Sequence, residues 1–73
     1  MKTTNKLRQI RLQAGLTMQQ LADEAHVSRP VIERAEHSQK IRQAYAARIT
    51  KALNRLAGTA YTSEELEIVV GER

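Results

Sequence analysis

Residues 17–37 read TMQQLADEAHVSRPVIERAEH, and the way this stretch folds decides the rest of the chain. TMQQ is a capping box, in which Thr17 caps a helix start and Gln20 reaches back to it. Leu21, Ala22 and Ala25 then form an inner face, and the helix ends near His26. Ser28 is a good N-cap for a second helix. Pro30 falls in its first turn, where a missing N–H costs nothing. Arg29 precedes that proline and is biased away from helical angles, so the true cap can lie one residue later. Ile32 and Ala35 point inward, with Val31 as a flank. A helix that only fills a core has no use for two arginines, a proline and a serine at its start and outer face.

Outward from this pair, Leu7, Ile10 and Ala14 recur at spacings of three and four and predict a first helix over about 4–14. Gly15 stops it. After the loop HSQKI, residues 37–41, a fourth helix is expected over about 42–57. It buries Ala46, Ile49, Ala52 or Leu53, and Leu56, and ends at Gly58. Residues 59–70, TAYTSEELEIVV, offer a second capping box, Thr62 with Glu65, and a short fifth helix at about 62–70. Ile68, Val69 and Val70 have strand propensity, so LEIVV also reads as extended. With three glycines, one proline and no sustained alternation, the fold class is all-α.

Length and charge bound the partners. The 73 residues make one domain, and a core of that size is only marginally stable. There are no cysteines, which excludes disulfides and thiolate metal sites and fits a reducing cytoplasm. MKTTNKLRQIRLQ at the start has no apolar run, and nothing approaches a membrane span; a cytoplasmic location is expected. The net charge is +4. Residues 64–73, EELEIVVGER, hold four acids and one base, leaving residues 1–63 with 11 bases against four acids, a local balance of +7. Such a balance points to a polyanion, nucleic acid or anionic membrane.

Two short helices joined by AHVS, with Leu21–Ala22, Val27 and Ile32 at the joint, make a helix-turn-helix. Here residues 7–53 resemble the phage-repressor and Cro type of helix-turn-helix, the XRE family. The resemblance rests on Leu7, Arg11, GLT at 15–17, LA at 21–22, VS at 27–28, Ile32, Glu36 and AL at 52–53. It implies a compact five-helix, lambda-repressor-like domain that binds double-stranded DNA as a homodimer. Ser28, Arg29, Pro30 and Arg34 then fall on DNA-facing positions. Arginine suits guanine, with Arg29 the first choice for a base contact and Arg34 able to reach a base or a phosphate, and Pro30 suits a thymine methyl. Glu33 can accept from cytosine N4 or orient an arginine. Ser28 and Gln19 suit phosphates near helix N-termini, and Lys40, Arg42 and Gln43 match the segment that holds the backbone. Arg11 and Glu36 match a structural ion pair between the first and third helices.

This sequence departs from the family in three places. Met18 stands where glutamine is usual, His26 where glycine is usual, and HS at 37–38 replaces NG.

The other chemistries find little support. His26 and His37 lack neighbouring ligands, so no metal or cofactor is expected. Two tyrosines and no Trp or Phe make no stacking platform, and Tyr45 reads as packing. There is no cysteine nucleophile, phosphate loop or HExxH, so no enzyme is expected. Glu64, Glu65 and Glu67 suit a helix terminus and solubility. The reading divides the chain into a DNA-binding domain, 1–58, and a tail, 59–73, for dimerisation or packing through Leu66, Ile68, Val69 and Val70. The function expected is a Cro-like repressor or controller protein reading a palindromic operator. The alternatives are an antitoxin whose tail binds a protein partner, and a helical interaction domain without DNA affinity.

Overall fold

The computed structural model describes residues 5–71, and among them four α-helices form: α1 Lys6–Gln13, α2 Met18–Ala25, α3 Arg29–Glu36 and α4 Gln43–Ala57. The all-α class holds; the count of five does not. The expected start of the first helix near residue 4 lies outside the described residues. At α2 the capping box forms: Gln20 N–H donates to Thr17 Oγ1 at 3.0 Å and Thr17 N–H to Gln20 Oε1 at 2.8 Å. No helix among the described residues is long and apolar enough to cross a membrane.

One device closes every helix. At Gly15, His26, Ser38 and Gly58 the backbone turns left-handed, with φ of 73°, 58°, 59° and 70°. The N–H of the following residue then reaches back five positions. Leu16 donates to the Arg11 carbonyl, Val27 to Ala22, Gln39 to Arg34 and Thr59 to Asn54, each at 2.9–3.1 Å. These bonds satisfy carbonyls that a helix end would leave unpaired. Only two of the four positions are glycine, so His26 and Ser38 accept a conformation that side chains disfavour.

The same device explains the missing fifth helix. The second capping box does form: Glu65 N–H donates to Thr62 Oγ1 at 3.1 Å and Thr62 N–H to Glu65 Oε1 at 2.9 Å. Glu67 is already left-handed, at φ 63°, and Ile68 N–H reaches back to the Ser63 carbonyl at 3.1 Å. Start and stop signals so close together leave room for a single turn. Beyond it the chain is extended, and Val70 forms an isolated parallel bridge with Ile41.

That turn is built into the core. Leu66 is fully buried and Ile68 nearly so, alongside Leu7, Leu21, Ile32, Ile49 and Leu53. The turn also caps α1 through one carbonyl and one carboxylate, and the Asn5 side chain supplies a third bond. Lys6 N–H donates to Glu67 Oε1 at 2.9 Å, Leu7 N–H to the Leu66 carbonyl at 3.1 Å, and Arg8 N–H to Asn5 Oδ1 at 3.3 Å. Asn5, which the sequence reading passes over, is buried and donates Nδ2 to the Ala35 carbonyl at 2.7 Å and the Glu67 carbonyl at 3.2 Å. Asn54 likewise holds both backbone groups of Tyr61, at 2.8 and 2.9 Å.

Two burial expectations are corrected. Ala14 is exposed because α1 ends at Gln13, so Ala14 follows the last helical residue. Leu56 is 38% exposed: the inner stripe of α4 runs through Ala46, Ile49, Thr50 and Leu53 and continues at half-buried Ala57, turning Leu56 outward. Ala52 and Leu53 are both buried.

A charged pair sits inside. Arg11 donates Nε to Glu36 Oε2 at 2.5 Å and Nη2 to Oε1 at 3.2 Å, while its Nη1 reaches the Leu16 carbonyl at 2.8 Å. Glu36 has no solvent exposure at all. Removing one member leaves an uncompensated buried charge, so Glu36→Leu or Arg11→Met alone is expected to cost about 3–5 kcal/mol in urea unfolding. The double variant is expected to lose less than either single one. Equal or greater loss in the double would show that the two side chains do not act as a pair.

Candidate nucleic-acid interface

α3 divides its residues cleanly. Val31, Ile32, Ala35 and Glu36 face the core, and Arg29, Pro30, Glu33 and Arg34 face solvent. Ser28 caps α3 by position, but its hydroxyl makes no capping bond. Pro30 sits in the first turn. The outer face opens into a shallow recess of about 480 Å³ lined by Pro30, Glu33, Arg34, His37 and Gln39. Cations, a carboxylate, an apolar ring and an amide therefore share one surface.

The turn before α3 aims it. Val27 N–H donates to Ala22 and His26 N–H to Asp23, so α2 closes in a tight reversal, with half-buried Val27 packed against the core. His26 supplies the left-handed residue and its side chain is exposed. At the other end of α2, Met18 takes the first helical position and is half-buried against the core. Gln19 is exposed beside it, and its Nε2 donates to Asp23 Oδ1 at 2.8 Å. That bond uses one of the two N–H groups of Nε2.

Lys40, Arg42 and Gln43 lie on the α3–α4 connection and are all exposed, with buried Ile41 between the two cations. Arg42 caps α4 by position, and Gln43 is its first residue. The N-terminus of this 15-residue helix adds partial positive charge to the two cations. These residues and those of α3 come from different elements. The long-range bonds of Asn5 to Ala35 and of Arg11 to Glu36 hold the end of α3 from which the connection departs.

A second basic surface escaped the sequence reading. Arg48, Lys51 and Arg55 on α4, together with His26 and Glu24, line an open groove of about 440 Å³. Arg55 Nη1 donates to Glu24 Oε2, tying α4 to α2. The Arg48 guanidinium lies 6.0 Å from the ring centroid of Tyr45, which is half-buried as a packing residue. The signal was present as cations spaced three and four apart on one helix face. Of the tail residues, Leu66 and Ile68 are buried in this chain's own core, Val69 is half-buried and Val70 is 40% exposed.

The family model described as Helix-turn-helix matches residues 7–56 of the 73-residue chain. It takes in α2 and α3 whole and all but one residue each of α1 and α4. No curated protein and no solved structure matches the chain.

The left-handed His26 generates a test. An L-residue there costs about 1–2 kcal/mol, and glycine returns about 0.5–1 kcal/mol of that through its flexible unfolded state. His26→Gly is therefore expected to stabilise the fold by about 0.5–1 kcal/mol, raising the melting midpoint by a few degrees. An unchanged or lower midpoint in calorimetry would show that the turn is not strained.

Proposed function

This chain belongs to the XRE family of helix-turn-helix proteins, and from that membership we propose that it is a sequence-specific regulator of transcription that reads a palindromic DNA operator as a dimer. The reading is a Cro-like repressor or controller protein. The observation that carries it is the outer face of α3, where Arg29, Pro30, Glu33 and Arg34 are presented together on a helix whose other face is locked into the core.

In this proposal α3 enters the major groove. Arg29 and Arg34 donate to guanine, Pro30 meets a thymine methyl, and Glu33 accepts from cytosine or orients an arginine. Ser28 and Gln19 hydrogen-bond phosphates on one side. Lys40, Arg42 and Gln43 hold the backbone on the other and set the register. A two-fold dimer places the two recognition helices about 34 Å apart, on successive turns of one face of the duplex. With Leu66 and Ile68 consumed by the core, Val70 is the exposed large apolar residue among the described residues of the tail. That favours the DNA-reading protein over an antitoxin held to its target by an apolar tail.

Selection of bound sequences from random duplex DNA at about physiological salt is expected to enrich an inverted repeat with half-sites about one helical turn apart. Enrichment of no sequence, with weak binding that disappears as salt rises, would reduce the basic face to generic attraction.

On the selected operator, Arg29→Ala is expected to lose about 1–3 kcal/mol and to relax preference at one position. Arg42→Ala should instead weaken all sequences alike and lower the salt slope by about one. Equal losses for Arg29→Ala on operator and random DNA would remove Arg29 from the base-reading set.

A further inference from the structure

The far end of the chain bears directly on the α3–α4 connection. Ile41 N–H donates to the Val69 carbonyl at 3.1 Å, and Gly71 N–H donates to the Ile41 carbonyl at 3.0 Å. Both backbone groups of Ile41 are thereby held by the tail, between the two exposed cations Lys40 and Arg42. Upstream, buried Leu66 and Ile68 and the bond from Asn5 to the Glu67 carbonyl anchor that tail to the core.

Gly71 adds a contact that its lack of a side chain makes possible. A Cβ built on it would lie 2.6 Å from Lys40 Cδ, 3.0 Å from Cγ and 3.1 Å from Cβ. Gly71 is not in the left-handed region, so the position uses the missing side chain and not backbone freedom. The stem of Lys40 lies across the tail in the space a side chain would take, while the residue as a whole remains exposed. Lysine loses much rotamer freedom when it is fixed. A stem already laid on a surface has less left to lose when its ammonium meets a partner.

We propose that Gly71 is a positioning residue for DNA binding. It lets the tail run beneath Lys40 and hold that side chain ready for a phosphate. The inference rests on the reading of Lys40 as a backbone contact. Phosphate contacts carry no sequence information, so a random-sequence duplex of about 20 base pairs serves as the probe. With the full chain, Gly71→Ala is expected to weaken binding about 3- to 10-fold, with the melting midpoint unchanged. Combined with Lys40→Ala it should add nothing to the loss from Lys40→Ala alone. In the free protein, nuclear Overhauser contacts between the Gly71 Hα protons and the Lys40 methylenes are expected.

Wild-type affinity in Gly71→Ala overturns the proposal. So does the same fold-loss with and without Lys40, or the absence of those proton contacts. If Lys40→Ala itself binds like wild type, Lys40 is not a backbone contact, and the proposal falls with that reading. If Lys40→Ala weakens binding and Gly71→Ala does not, the proposal falls alone.

Discussion

A carboxylate without solvent contact must be met by a cation, and Glu36 is met by Arg11. The demand is sharper because Glu36 ends α3, where the helix dipole already disfavours negative charge. Arg11 answers with a two-pronged bond and spends its remaining nitrogen on the Leu16 carbonyl. One side chain thus sets α1 against the end of α3 and against the α1–α2 connection. Arg8 adds a looser approach at 3.9 Å. Neither helix can slide or roll without leaving a buried charge unpaired, a far larger penalty than a shifted apolar contact. With the inner face of α3 held in this way, the rotation of its outer face is settled as well.

Three of the four helices have eight residues, too short to persist alone in water. They persist by exchanging end groups with distant parts of the chain. α1 is capped by the turn at 63–67, α3 ends against Asn5, and the α3–α4 connection pairs with residues 69–71. The two ends of the described chain consequently form one structural unit. A segment that composition sets apart as an acidic tail supplies core volume through Leu66 and caps through Leu66 and Glu67. The left-handed Glu67 bears a conformational cost, and the bonds its carbonyl and carboxylate accept offset it.

Charge is distributed to match. Among the described residues, exposed cations fall on the α3 face at Arg29 and Arg34, on the connection at Lys40 and Arg42, and along α4 at Arg48, Lys51 and Arg55. The Glu67 carboxylate sits at the positive end of α1, and Glu65 closes its own capping box. Each of these two carboxylates accepts from a backbone N–H, Glu65 from Thr62 three positions away and Glu67 from Lys6 across the fold.

Local chemistry determined what could be read from the sequence. The all-α class, the boundaries of α2, the stops at Gly15 and Gly58 and the inner faces of α2 and α3 follow from spacing, caps and glycine. Each of these depends on residues a few positions apart. The capping box at Thr62 was read correctly, yet the helix inferred from it was not there. The left-handed turn at Glu67 closes it after one turn, and the residues that follow are extended and bonded to Ile41, while Leu66 and Glu67 accept from the first N–H groups of α1. Asn5 looked like an ordinary polar residue, because its partners Ala35 and Glu67 lie 30 and 62 positions away. On α3 the sequence supplied the residue types and their common face. Only the tertiary structure decided how the tail, the connection and that face are joined, because those joints are backbone bonds between segments with no local signal for each other.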